Sequence, residues 1–231
     1  MAEHLSDEEQ LEALKRWWKE SGRQTLAVIA IALLGYFGWN GWQDHQQQQA
    51  EKASALYDQM MEAASVTPGN SLNDEQSAQV TYLAVSLQDQ HAGSQYAHYA
   101  ALMLAKLAVE KDDLDTAASE LHGVMDDASE GLSLIARLRL AKVEAARENY
   151  DKAIDLLQAA DTKAMAAAYA EALGDIYYQQ GKSGQAYKFY QDALAATAAD
   201  DRTRPILELK INQVLPRQDV QLETESSEGD D

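Results

Sequence analysis

The 231-residue chain has no cysteine, only three prolines and two phenylalanines, and 19 Lys and Arg against 38 Asp and Glu, for a formal net charge of −19. Without cysteine there is no disulfide framework, no thiol nucleophile and no thiolate metal site. The scarcity of proline, with 12 glycines in an alanine-rich background, predicts an all-α body. The deficit of positive charge excludes nucleic acid as a partner, because such binding rests on neutralising phosphates with Lys and Arg. It also keeps the acidic bulk off an anionic bilayer surface. His4, His45, His91, His98 and His122 fall in no H-E-x-x-H or related spacing, and Gly93-Ser94 interrupts any helix that would align His91 with His98. There is no glycine-rich phosphate loop, nucleophile elbow or kinase signature. The pattern reads as non-enzymatic, with no cofactor and no metal.

Charge is also missing locally. From Gln24 to Gln43 no residue is charged, and Thr25 to Trp42 reads TLAVIAIALLGYFGWNGW. As a helix this run spans roughly 27 Å at about 1.5 Å per residue, close to the ~30 Å hydrocarbon core of a bilayer. It predicts a transmembrane helix over 25–42. Lys15, Arg16, Lys19 and Arg23 precede the span and Lys52 is the first basic residue after it, which places the N-terminus in the cytoplasm and the rest outside. Tyr36, Phe37, Trp39 and Trp42 crowd the far end, where amphipathic rings suit the headgroup level. The rival readings are a cleaved signal and a buried core helix. Against cleavage, Asn40-Gly41-Trp42-Gln43-Asp44 is bulky and polar where a small-x-small site belongs. Residues 1–24 read as a cytoplasmic amphipathic segment, with Ser6 and Glu9 as a capping box and Leu11, Leu14 and Trp18 on one face.

Beyond the span the chain repeats. Ala170, Leu173, Gly174, Tyr177, then Ala186, Tyr190 and Ala193 follow the tetratricopeptide pattern, with Ala170 in place of Trp and Tyr190 in place of Phe. Small Gly174 and Ala186 allow two antiparallel helices to cross closely, and Gln180-Gly181-Lys182 is the turn between them. Leu140, Ala141, Ala153, Leu157 and Ala160 repeat the pattern one period earlier, and Leu104, Ala105, Ala117, Leu121 and Val124 one period earlier again. Both intervals are close to the tetratricopeptide period of about 34 residues. A non-repetitive bundle is the alternative. Gln46 to Ser65 continues the span outward as a stalk, and Pro68-Gly69 breaks it. Asn73 with Gln76 caps the next helix, whose Val80, Leu83, Ala84 and Leu87 form a stripe. Asp112-Asp113 and Asp126-Asp127 read as turn pairs that cap the following helix. Pro205 opens a last helix with Leu207 and Ile211 inward, and Pro216 ends it. The organisation is thus 1–24 cytoplasmic, 25–42 transmembrane, 43–215 a tetratricopeptide-like α-solenoid, and 216–231 an acidic tail too poor in apolar residues to fold.

With no catalytic constellation, function falls to the concave face. First-helix offsets from each Leu-Gly/Ala pair select Tyr99, Leu102 and Lys106, then Ile135, Leu138 and Lys142, then Glu171, Asp175 and Tyr178. Five of these nine are apolar or aromatic, more than a solvated face needs, which suits a partner segment with alternating apolar anchors. A basic clamp for a carboxylate fits poorly, since only Lys106 and Lys142 could contribute, beside Glu171 and Asp175. The other occupant of such a groove is the protein's own helices, the C-terminal cap among them.

The run Glu12-Ala13-Leu14-Lys15-Arg16-Trp17-Trp18-Lys19-Glu20 ahead of a span ending in Gly38-Trp39 and Trp42 is joined by Tyr96-Ala97-His98-Tyr99-Ala100-Ala101-Leu102, Leu138-Arg139-Leu140-Ala141, Gly174-Asp175 and Lys210-Ile211-Asn212. In that order they resemble the YfgM-type ancillary subunits of the bacterial SecYEG translocon, to about residue 215. The resemblance implies an inner-membrane protein with a periplasmic tetratricopeptide domain. It also implies association with SecYEG and with a membrane-anchored periplasmic chaperone such as PpiD, help for newly exported polypeptides, and no catalytic residues. The acidic stretch after Pro216 departs from that pattern. A single-pass scaffold for another cell-envelope assembly uses the same parts and stands as the second reading.

Overall fold

The computed structural model describes residues 7–67, 69–162 and 165–215. Ser6 of the expected capping box, Pro68, Pro216 and the acidic tail lie outside them. Among the described residues the regular structure is helical throughout, in nine helices: α1 (Asp7–Ala63), α2 (Asp74–Gln90), α3 (Gln95–Glu110), α4 (Leu114–Asp127), α5 (Glu130–Ala146), α6 (Tyr150–Gln158), α7 (Ala166–Gln179), α8 (Ser183–Ala196) and α9 (Arg204–Val214). The chain divides into two compact units, residues 1–56 and 57–231.

The first unit is helical from Asp7 onward. α1 has 57 residues, so the basic-aromatic flank, the apolar run and the glutamine-rich stretch form one uninterrupted helix. Its most apolar 18-residue window has a mean hydropathy of 1.4 and none of it is buried. Ile31, Leu34, Phe37 and Trp39 are among its most exposed side chains. A core helix would bury them, so that reading fails. Length, composition and exposure make α1 a single-pass membrane helix, whose apolar solvent is lipid.

The second unit opens with the last turns of α1. Tyr57, Met60 and Met61 share one side of the helix, and the Tyr57 ring lies against Tyr96 and Tyr99 of α3 at 5.4 and 5.7 Å between centroids. α2 starts on a complete capping box: the Asn73 side chain accepts from Gln76 N–H while the Gln76 side chain accepts from Asn73 N–H. Its Val80, Leu83, Ala84 and Leu87 are buried as the spacing predicts.

Three helical hairpins follow, α3/α4, α5/α6 and α7/α8. Their equivalence is written in the backbone. Asp112, Glu148 and Gly181 occupy the same turn position in successive hairpins, and all three have positive φ (59°, 65° and 73°). In each turn the next residue's N–H reaches a carbonyl of the preceding helix: Asp113 to Ala108, Asn149 to Glu144, Lys182 to Tyr177. Each left-handed residue also donates to that helix's last turn, Asp112 to Val109, Glu148 to Ala145 and Gly181 to Tyr178. This is the Schellman arrangement, which satisfies the last carbonyls of a helix while reversing the chain. The second helix of each hairpin then presents Ala117, Ala153 or Ala186 at the crossing, each completely buried. The chain is therefore a solenoid of repeats and not an irregular bundle.

One expectation fails locally. Asp126 and Asp127 are in the last turn of α4, and the N-cap of α5 is Ser129. Helix α4 runs on through the aspartates because Val124, Leu121 and Ala117 continue its buried face to that end. Asp113, by contrast, caps α4 by accepting from Thr116 N–H.

Two core clusters run along the array. One joins α3, α4 and one face of α5 (Leu132, Ala136, Leu140, Val143); the other joins another face of α5 (Ala141, Ala145) with α6, α7, α8 and Val214 of α9. Leu156 packs against both.

Candidate functional site

The nine groove positions separate into distinct environments. Tyr99, Leu102, Lys106 and Lys142 line an open groove of about 670 Å³ on the N-terminal half of the array. Its floor and walls come from the end of α1 (Tyr57, Met60, Met61), from α3 (Leu102, Met103, Val109), from α4 (Leu114, Leu121) and from α5 (Val143, Ala146). Hairpin geometry places them: the first helices of successive repeats line one side, and Tyr57 and Met60 close the end. Methionine is unbranched and polarizable, so a floor built on Met60, Met61 and Met103 adapts to differently shaped apolar side chains.

The rim carries Lys106, Glu110, Arg139 and Lys142. Lys106 pairs with Glu110 at 3.5 Å. Arg139 and Lys142 have no carboxylate partner among the described residues. A chain of net charge −19 therefore concentrates excess positive charge at the mouth of its main apolar groove. Ile135 and Leu138 are partly buried and pack against the first and second core clusters respectively.

Glu171, Asp175 and Tyr178 face the protein's own α9. Lys210 Nζ donates to Glu171 Oε1 and Asp175 Oδ1, each at 2.7 Å, and Gln213 Nε2 donates to the Tyr178 hydroxyl at 2.8 Å. The Tyr190 hydroxyl donates to Asp175 Oδ1 at 2.8 Å, and Lys210 Nζ sits 5.6 Å from the Tyr190 ring centroid. Burial opposes the Lys210 charge, but the hydrogen bonds and charges of Asp175 and Glu171 outweigh it and hold its pKa above the ordinary value. Burial first, and then the Asp175 carboxylate, pushes the Tyr190 phenol up. On the third repeat, then, these three positions are hydrogen-bonded to side chains of the chain's own α9, with Tyr178 still 41 % exposed.

A third polar cluster is structural. Glu144 is fully buried at the α5–α6 turn and accepts from Lys152 Nζ (2.7 Å), Asn149 Nδ2 (2.8 Å) and Arg147 Nη1 (3.1 Å), while Arg147 also pairs with Asp115 of α4. Burial raises the carboxyl's pKa, but the hydrogen bonds of Lys152 and Asn149 and the charges of Lys152 and Arg147 bring it below the ordinary value. Among the described residues no group of three or more His, Asp or Glu is placed to hold a metal ion.

Sequence offsets missed Tyr57, Met60, Met61, Val109 and Arg139. The available signal was the Leu56-Tyr57-x-x-Met60-Met61 stripe, which marks the end of α1 as a packed helix. Offsets within a hairpin say nothing about which neighbour closes the groove.

A groove-bearing array of helical hairpins behind one apolar span defines a membrane-anchored tetratricopeptide-type binding protein. The sequence accordingly matches the tetratricopeptide repeat-like domain family over residues 15–215. The chain is 31 % identical over 215 residues to the ancillary SecYEG translocon subunit of Aggregatibacter actinomycetemcomitans, and 29 % identical over 216 residues to that of Neisseria gonorrhoeae. Both alignments cover 93 % of this chain and 100 % of the relative. It is 25 % identical over 210 residues to the protein of the same name from Escherichia coli, covering 90 % and 97 %. The chain belongs to the family of ancillary SecYEG translocon subunits. No solved structure matches it.

Proposed function

We propose that this protein is a non-catalytic adaptor tethered beside the Sec protein-export channel, with its N-terminus in the cytoplasm and its helical array in the periplasm. The groove takes apolar segments of a partner, either a membrane-anchored chaperone of the PpiD kind or a chain emerging from the channel. The observation that carries this reading is the open, methionine-rich groove lined by Tyr99, Leu102, Lys106 and Lys142, on an array whose third-repeat positions Glu171, Asp175 and Tyr178 are already hydrogen-bonded to α9. Four of the nine sequence-selected positions are thereby offered as partner contacts. Ile135 and Leu138 support them from the core, and Glu171, Asp175 and Tyr178 seat the C-terminal helix. The relatives' names supply the channel. The cluster Lys15, Arg16, Lys19 and Arg23 supplies the orientation. Anchoring replaces tight affinity with local concentration, as exchange between transient clients requires.

A photo-crosslinking residue placed at Tyr99 or Val109 in intact cells is expected to capture translocon subunits, a periplasmic chaperone or an exported chain, and the same residue at Tyr82, exposed on α2, none of them. Reproducible capture of an unrelated envelope complex from Tyr99 would replace this proposal with the scaffold reading. A periplasm-specific reporter fused after residue 60 should be active; activity of a cytoplasm-specific reporter instead reverses the orientation.

A further inference from the structure

The groove is basic in an acidic chain. Of the charged residues that line it, Lys106, Arg139 and Lys142 are cationic and Glu110 alone is anionic, whereas the whole chain has 19 Lys and Arg against 38 Asp and Glu. All four are exposed, so water alone can hold their charge; the information lies in where they collect. Glu171 and Asp175, the carboxylates that stand against a basic site by sequence offset, are both bonded to Lys210 and are not part of this lining. α5 supplies Arg139 instead, three residues before Lys142 and therefore on the same helix face. Lys106 pairs with Glu110 at 3.5 Å, but an exposed pair of this kind is weak and exchanges readily for another carboxylate.

The apolar surface comes from other elements. The end of α1 contributes Tyr57, Met60 and Met61, and α3 contributes Leu102 and Met103, while the two cations without carboxylate partners among the described residues both come from α5. Apolar burial gives affinity for any greasy segment, and the charges beside it decide which segments are accepted. We propose that the groove selects protein segments whose apolar anchors are flanked by Asp or Glu, the anchors on the methionine floor and the carboxylates against Arg139 and Lys142. Segments flanked by Lys or Arg are refused. The inference rests on the groove being a site for protein segments and adds the rule by which it sorts them. A Lys-flanked segment is drawn to a chain of net charge −19 as a whole and repelled at the groove, so the global and local fields favour opposite partners.

That opposition makes the test sharp. The full chain in phosphatidylcholine nanodiscs is titrated into end-blocked fluorescent peptides that share a Leu-Ser-Leu-Ser-Leu core and carry Glu, Ser or Lys at both flanks. Fluorescence anisotropy is read against empty nanodiscs. The Glu-flanked peptide is expected to bind about tenfold tighter than the Lys-flanked one, with the Ser-flanked peptide between them. High salt should compress that range, because exposed charges are screened. Arg139→Gln with Lys142→Gln should erase the difference between peptides, and Arg139→Glu with Lys142→Glu should invert it; both side chains are exposed, so helix content by circular dichroism should hold. A preference for the Lys-flanked peptide overturns the inference, since net charge then governs, as does a Glu preference that survives neutralisation of Arg139 and Lys142. Equal affinities for all three peptides, abolished together by Met103→Asp, also overturn it but leave the apolar groove as a binding site. Failure of every peptide to bind overturns the inference together with the reading it rests on.

Discussion

Gly174 of α7 lies flat against the ring of Tyr190 in α8: a Cβ added to Gly174 would come within 2.5 Å of the Tyr190 Cδ1 and Cε1 atoms. The ring is itself pinned, because its hydroxyl donates to Asp175. Gly174→Ala therefore has no room, and is expected to cost about 1–3 kcal/mol through overpacking. Gly184→Ala, where the new methyl meets open space, should be neutral or slightly stabilising. Urea unfolding followed by circular dichroism on the full chain in detergent checks the pair. Equal shifts would mean that the α7–α8 crossing is not close-packed.

Glu148 has φ of 65° at the position that Gly181 fills in the next repeat. Left-handed geometry strains a side chain such as glutamate, whereas aspartate at Asp112 tolerates it better. Glu148→Gly should raise stability by about 0.5–1 kcal/mol, the relief of strain exceeding glycine's entropy cost. A lower melting temperature would show that the Glu148 side chain contributes more than its backbone costs.

Glu144 makes stability pH-dependent, and its sign follows from the direction of its shift. The folded carboxyl titrates below its ordinary value of 4.5, so its contribution is present above that pH and is lost as the pH falls through the depressed folded value. Glu144→Gln should cost about 1–3 kcal/mol at neutral pH, through lost charge-assisted hydrogen bonds to Lys152 and Arg147. The gap from the parent should narrow in melts taken at progressively more acidic pH. A gap that stays constant into strongly acidic buffer would remove the carboxylate as its source.

Lys210 fastens α9 over the third repeat. In Lys210→Met, Glu171 and Asp175 are left side by side without their cation, with an expected cost of about 1.5–3 kcal/mol. Hydrogen exchange should then accelerate in residues 204–214 ahead of α3 and α4. Uniform acceleration across the array would make Lys210 part of the global fold and not the clasp of one helix.

The span and the repeats were legible because each has a local, periodic signature. An uncharged apolar run from Thr25 to Trp42 needs no tertiary information to be recognised, and Ala117, Ala153 and Ala186 announce their crossings by spacing alone. The capping box at Asn73 and the turn at Gly181 are likewise local hydrogen-bond chemistry. The groove was legible only in part. Hairpin offsets selected Tyr99, Leu102, Lys106 and Lys142, which line it, but equally selected Glu171, Asp175 and Tyr178, which hydrogen-bond to α9. Nothing near Glu171 in sequence reveals Lys210, which arrives from two helices further along the chain.

Sequence by itself determined the helical class, the membrane helix, the three-hairpin register and the acidic character, since these follow from short-range periodicity and composition. Tertiary structure decided which selected positions line the open groove and which bond to α9, that Tyr57 and Met60 join the groove lining, and that Arg139 and Lys142 gather there without carboxylate partners among the described residues. Those outcomes depend on which distant helices pack together, and packing between residues far apart in the chain leaves no periodic trace in either partner.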